Sequence, residues 1–414
     1  MDMKIRVHRT PKSLITGVDA ITQIGAEVSK LRAKKALIMT DPGVAASGMV
    51  ETVERPLIDA GIEVGVYSKC VPEPPMSSLE EGVAFCREGG YDCIVGFGGG
   101  SAIDVAKITS VLVTTEASVE EMVGIDMVPK KGLPIIAVPT TAGTGSEVTA
   151  IAIFANEKLN VKQGVVSGFL IPNVAIVDPM LTITCPPQVT AASGMDALIH
   201  CIEAYTSVNA TMHTDPLARE GIELISKSIR TATFDGTNVE ARFGMAMGSL
   251  LGGIAFANAG VTAVHALSYP IGGTFHVPHG IANTLMLPWV MEYNMVACLD
   301  FFSEIAVFMG ENIEGLSVRQ AAARAVEAMK QLAVDLQVPQ YLSDVDIPAS
   351  AIPELADGAM TQQRLLVNNP RRLSRDDIIA IYENAAVRPG SGSNPAKATS
   401  NGKGKAARTK AAAK

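Results

Sequence analysis

Paired cysteines, unbroken apolar runs and aromatic side chains are all scarce in this chain. Its six cysteines, at positions 70, 86, 93, 185, 201 and 298, contain no Cys-x-x-Cys pair. That spacing argues against a disulfide frame and for reduced thiols, as in a cytoplasmic protein. The richest apolar stretch, LLGGIAFANAGVTAVHAL, is interrupted by Gly253, Asn258, Gly260 and His265 and makes a poor membrane span. The opening MDMKIRVHRTPKSL lacks the apolar segment of a secretory signal. The expected setting is therefore cytoplasmic, with no membrane partner.

Hydrophobic residues make up 48% and charged residues 18% of the 414 positions, an ordinary globular balance with room for two cores and an oligomer interface. A homo-oligomer, dimeric or larger, is expected. The net charge of −8 is unevenly spread, because the last 27 residues carry seven Lys or Arg and no acid. This 388–414 tail is too rich in Gly, Ser, Ala and Lys to bury apolar surface and is read as a disordered, solvated extension. No aromatic residue interleaves its charges, so nucleic acid is not an expected partner.

Short β-branched runs alternate with amphipathic stretches through residues 1–185, the pattern of βαβ units on a mostly parallel sheet. Strands are expected at 35–41, 63–67, 92–98, 134–140 and 174–178. Beyond CPPQVTAASG the texture turns to long helical periodicity, giving an all-α second domain over 186–387. The fold class is thus an α/β Rossmann-like domain followed by a helical one.

VGFGGGSAIDVAK places Gly98, Gly99 and Gly100 after an apolar strand and Ser101 at the start of a helix. Glycines admit a phosphate close to backbone N–H groups, and the helix start supplies a favourable dipole. Asp104 and Lys107 follow in the first turns. A strict dinucleotide fingerprint is absent, since Ser101 stands where its third glycine belongs. Asp41 ends an earlier strand, where it either accepts ribose hydroxyls, favouring NAD over NADP, or caps a turn at Asp-Pro-Gly. A second loop, PTTAGTGSE, offers Thr140, Thr141, Thr144 and Ser146, again for phosphate and ribose or simply for a polar turn.

Six histidines serve the whole chain, and three of them fall within VHALSYPIGGTFHVPHG. Upstream, SGMDALIHCIEAY sets Asp196 and His200 one helical turn apart on one face. Such a pair holds either a local hydrogen bond or a metal. Pro270 is expected to end the helix that carries His265, and GGTFHVPHG to return His279 beside it. A carboxylate with three imidazoles suits Fe(II) or Zn(II) and leaves a coordination position for a substrate oxygen. His276 reads equally as a ligand, a pocket wall or a donor behind a ligand. His8 and His213 read as surface residues.

GGGSAIDVAK, PTTAGTGSE, VDP, GMDALIHCIEAY, HALSYPIGG and PHGIAN together resemble the iron-containing (group III) alcohol dehydrogenases, within the dehydroquinate-synthase-like fold, over residues 4 to 387. The resemblance implies metal ligation by Asp196, His200, His265 and His279. It implies NAD(H) contacts from Asp41, Gly98 to Ser101, Asp104, Thr140, Thr141, Thr144 and Lys162, with a small alcohol or aldehyde as substrate. Two positions depart from the family pattern. Tyr269 stands where many members carry a second histidine beside the nicotinamide, so Tyr269 or His276 is left as the proton relay. Glu73 in VPEPP replaces a common asparagine. SYP and KLNVKQG resemble the hydroxyacid-oxoacid transhydrogenase branch, which makes a retained-NAD transhydrogenase or 4-hydroxybutyrate dehydrogenase the alternative. A dehydroquinate-synthase-type lyase is the more distant one.

Overall fold

The computed structural model describes residues 5–157 and 161–388, with Val161 described by its backbone only. Beyond Arg388 the expected basic extension lies outside the described residues. All nine described strands precede residue 178. They are β1 Ser13–Thr16, β2 Lys35–Met39, β3 Glu63–Tyr67, β4 Cys93–Gly98, β5 Gly124–Ile125, β6 Ile135–Pro139, β7 Ile151–Asn156, β8 Val161–Val166 and β9 Val174–Val177.

Six of them form one sheet in the order β1-β9-β6-β4-β2-β3, every neighbouring pair parallel. CIVGFG and IIAVP are buried along their full length. Continuous rather than alternating apolarity is what a sheet covered on both faces requires. Parallel pairing sends the carboxyl ends of β2, β4 and β6 to one edge, where Asp41, Gly98 and Thr140 follow. The five expected strands form within a residue or two of their expected limits. Periodicity did not single out the edge strand β1, or β7 and β8, which pair antiparallel and join β5 in a separate three-stranded sheet.

From Pro187 to Ala386 the regular structure is helical, with the long helices Pro187–Thr206, Asp215–Phe234, Val239–Ala259 and His279–Met295. Leu198, Ile202, Ile222, Ile225, Met286 and Leu332 belong to their shared core. Each such side chain contributes roughly 1.5–3 kcal/mol by burial, before the loss of chain entropy is counted. Among the described residues no single helix is long and apolar enough to cross a membrane. Val239–Ala259 and Ala263–Phe275 reach that apolar length only together and are bent by 102°.

Pro270 does not end its helix, contrary to expectation. The Ala263–Phe275 helix runs through it. A mid-helix proline forfeits the bond to the carbonyl four residues back, here Ala266, and burying Ile271 and Gly272 in the next turn offsets that loss. His276 is the terminator. Its backbone is left-handed at φ +55, and its amide donates to the Gly272 carbonyl at 3.1 Å. Three residues later the His279–Met295 helix begins, so the reversal still returns His279 to His265. His8 and His213 are exposed as expected, their rings 4.7 Å apart.

Candidate active site

Two loops meet at the carboxyl edge of the large sheet. Gly98 closes β4 at φ +149, a conformation open chiefly to glycine, and the Thr140 amide donates to its carbonyl at 3.0 Å. A Cβ on Gly100 would stand 2.7 Å from Thr144 Oγ1, so the glycine loop seats directly on the Thr140–Ser146 loop. Of the two roles its sequence context allows Asp41, the structure shows the turn cap. Its Oδ1 accepts from the Gly43 and Val44 amides at 2.9 and 3.0 Å and caps a short helix, while Oδ2 turns toward Gly98. Glu73 bridges two expected cofactor residues, its amide donating to Ser101 Oγ at 3.3 Å and its carboxylate meeting Lys162 Nζ at 2.5 Å.

On its other side the Thr140–Ser146 loop touches the helical half. The Gly143 carbonyl accepts from His200 Nδ1 at 3.2 Å. That bond leaves His200 Nε2 with a free lone pair. His265 donates through Nδ1 to Glu203, which frees its Nε2 in the same way. The two Nε2 atoms face each other at 3.1 Å, and Asp196 Oδ1 lies 3.7 Å from that of His265, 3.8 Å from that of His279 and 4.0 Å from that of His200. Ligands of a tetrahedral ion with metal–nitrogen bonds near 2.1 Å sit about 3.4 Å apart. Opposed lone pairs beside a buried carboxylate repel unless a cation lies among them. Asp196, His265 and His279 in particular bring one donor atom each within 4.8 Å of one another.

Residues 11–179 match the family described as iron-containing alcohol dehydrogenase, and residues 190–386 match its C-terminal part, Fe-containing alcohol dehydrogenase family, C-terminal. The chain belongs to the iron-containing alcohol dehydrogenase family. It is 45% identical over 372 residues to long-chain-alcohol dehydrogenase 1 of Geobacillus thermodenitrificans, covering 89% of this chain and 94% of that one. It is 39% identical to the 1,3-propanediol dehydrogenase of Klebsiella pneumoniae, covering 93% of this chain and 100% of that one. The solved structure of a 1,3-propanediol oxidoreductase superposes with a TM-score of 0.90 at 39% identity, over 92% of this chain and 100% of the other.

In this iron-containing alcohol dehydrogenase, two residues that sequence reasoning did not single out brace the cluster. Glu203 is fully buried and accepts from Thr262 Oγ1 at 2.7 Å and the Val264 amide at 2.8 Å as well as from His265. Burial alone pushes its carboxyl up, and these three donors more than reverse that. The available signal was spacing: Glu203 lies three residues after His200 and seven after Asp196, on one helical face. Asn283, in PHGIAN, sends Nδ2 to 2.6 Å from Asp196 Oδ1, 3.1 Å from His265 Nε2 and 3.2 Å from His279 Nε2, and its buried Oδ1 has no partner. One amide group thus faces three acceptors, a surplus that a divalent cation would satisfy. Replacing Glu203→Gln should weaken metal binding about 10- to 100-fold with the fold intact. Chelator competition measures this, and an affinity within threefold of the parent counts against the bracing role.

Phe256 stacks on His200 with ring centroids 4.2 Å apart, so this aromatic walls the cluster as well as filling core. Tyr269 lies at the mouth, 6.0 Å from the His279 ring and 6.4 Å from that of His265. Burial raises its phenol, and the positive charge of Arg364 only partly offsets this. It therefore keeps its proton at neutral pH. His276 is exposed, and among the described contacts none joins its ring to the cluster. Its observed role is the chain reversal.

Beneath the loops, Ser146 is buried and fully engaged, accepting from Lys107 Nζ at 2.8 Å and donating to Asp104 Oδ1 at 2.6 Å. Asp104 also accepts from the Ile153 amide at 2.9 Å. Both expected cofactor residues thereby also hold the loops together. Neighbouring Glu147 is 3% exposed, and burial raises its carboxyl to about 7. A carboxyl whose folded value lies above its unfolded one stabilises fully below the unfolded value, near pH 4.5, and the benefit is lost as pH rises through 7. Glu147→Gln removes that loss. It should raise stability at pH 8 by up to about 3 kcal/mol and leave it unchanged near pH 4. Denaturant titrations at both pH values check this, and an equal effect at the two would refute it.

Proposed function

We propose that this chain is an NAD(H)-linked, Fe(II)-dependent dehydrogenase that interconverts small primary alcohols or diols and their aldehydes, with Zn(II) as the alternative ion, working as a homo-oligomer. One observation carries the reading: the Thr140–Ser146 loop clasps the glycine loop on one side and bonds His200 on the other. This loop links the residues proposed for nucleotide to those proposed for metal. Asp196, His200, His265 and His279 would hold the ion, which when bound supplies Lewis acidity toward an oxygen substituent.

The remaining work falls to the chain itself. Asp41 Oδ2 and the loop Gly98 to Ser101 are positioned to receive the adenosine ribose and the pyrophosphate, with Thr140, Thr141 and Thr144 beside them. Lys162, oriented by Glu73, would reach the nicotinamide side. The Glu203 carboxylate and the Gly143 carbonyl hold two imidazoles in the tautomer that ligates through Nε2. Tyr269 keeps its proton, and so serves to donate a hydrogen bond to substrate rather than to abstract a proton. Phe256 excludes water from one flank.

The test is an anaerobic assay of protein loaded with Fe(II) or Zn(II), with NADH or NADPH, across short aldehydes. Aldehyde-dependent oxidation of NADH that chelator abolishes is the expected result. Absence of nucleotide oxidation with either ion and every aldehyde would refute the proposal.

A further inference from the structure

Beside the ligand cluster, a cavity of about 130 Å³ opens where β8 and its hairpin meet the Ala263–Phe275 helix. Its walls include Tyr269, Arg364, Gln362, Lys162, Gly164 and Ile153. Tyr269 is shared between this cavity and the cluster, since its ring also faces His279 at 6.0 Å. Two cations line the space and differ in their partners. Lys162 is neutralised by Glu73 at 2.5 Å. Arg364 lines the cavity together with Tyr269, and among the described residues no carboxylate forms an ion pair with it. Most of the five guanidinium donors therefore remain for something else.

We propose that Arg364 and the Tyr269 hydroxyl form an anion subsite, so that the alcohol or aldehyde turned over here carries a carboxylate or sulfonate at the end remote from the reacting carbon. The inference rests on the dehydrogenase reading and narrows its substrate class. A planar guanidinium matches the two oxygens of such a tail, and Tyr269 adds a proton donor at the same place. An uncharged alcohol or diol of the same length would draw nothing from this guanidinium. Charge-assisted hydrogen bonds of this type correspond to about a 10- to 100-fold preference.

The test compares 4-hydroxybutyrate with its uncharged isostere 4-hydroxybutyramide, by calorimetry on Zn(II)-loaded protein without nucleotide. The readout is the ratio of the two dissociation constants. The parent protein should favour the acid at least about tenfold, and Arg364→Gln should bring the ratio close to one. Arg364→Lys, a point charge without the fork, should leave an intermediate ratio and serves if the glutamine variant does not fold. A ratio near one in the parent, or one unchanged by both substitutions, overturns the subsite. Failure of the dehydrogenase reading is seen separately, as absence of NADH oxidation with succinic semialdehyde and with butanal while the binding ratio persists.

Discussion

His279→Ala should empty the metal site and lower kcat/KM by about a thousandfold or more, with little change in the fold. His279 lies at the open edge of the cluster, with 36% of its side chain exposed against 4% for Asp196. Desolvation lowers its imidazole to about 4, so at neutral pH the ring is an uncharged donor. Among the described residues no buried carboxylate braces it from behind, in contrast to His265 on Glu203. Its removal therefore breaks no buried ion pair of the kind that joins His265 to Glu203. Loss of Lewis-acid stabilisation worth roughly 4 kcal/mol corresponds to the stated drop in rate. Elemental analysis after anaerobic loading, with kcat/KM on the same samples, decides the matter. A variant that keeps full metal content and activity removes His279 from the ligand set.

Lys107→Met should destabilise the protein by about 3–5 kcal/mol, the usual cost of removing one partner from a buried charged network. Lys107 is fully buried, and its ammonium donates to Ser146 Oγ at 2.8 Å, Thr149 Oγ1 at 3.1 Å and the Ile151 carbonyl at 2.8 Å, with Asp104 Oδ1 at 3.9 Å. Burial lowers the amine to about 8 in spite of Asp104 and Glu147. Methionine fills similar volume but leaves four polar groups without this donor, including a carboxylate. Because these groups tie the glycine-loop helix to the PTTAGTGSE loop, nucleotide affinity should fall with stability. Denaturant midpoints measure the first effect and NADH fluorescence titration the second. The double variant Asp104→Asn with Lys107→Met should recover part of the loss, since the stranded charge is gone. A single-variant cost below about 1 kcal/mol would show that the network is not integral.

Much of this protein was legible in its sequence, because local pattern and local chemistry coincide. Continuous apolar runs located β2, β3, β4, β6 and β9, and helical periodicity located the second half. The one-turn spacing of Asp196 and His200 lies within a single helix, so it needed no tertiary information. The mixed carboxylate and imidazole chemistry of the site followed from residue types alone.

What only the folded chain decided depends on contacts between distant segments. The β1 strand is four residues long, and β8 carries Lys162, Gln163 and Gly164, so neither announces itself by apolarity. Pro270 stays inside its helix because burial of the next turn, invisible to a local rule, offsets one lost hydrogen bond. That Asp104 and Ser146 tie the two loops together is visible only once Lys107 and the Ile153 amide are seen to engage them. Glu203 became a brace only when Thr262, Val264 and His265, some sixty residues on, closed around its carboxylate. Arg364 sits ninety-five residues from Tyr269 in a segment with no motif, and only tertiary packing brings the two into the wall of one cavity. The sequence determined which donors were available and on which elements they ride. Tertiary structure decided which of them face one another, because desolvation and charge pairing act through space and not along the chain.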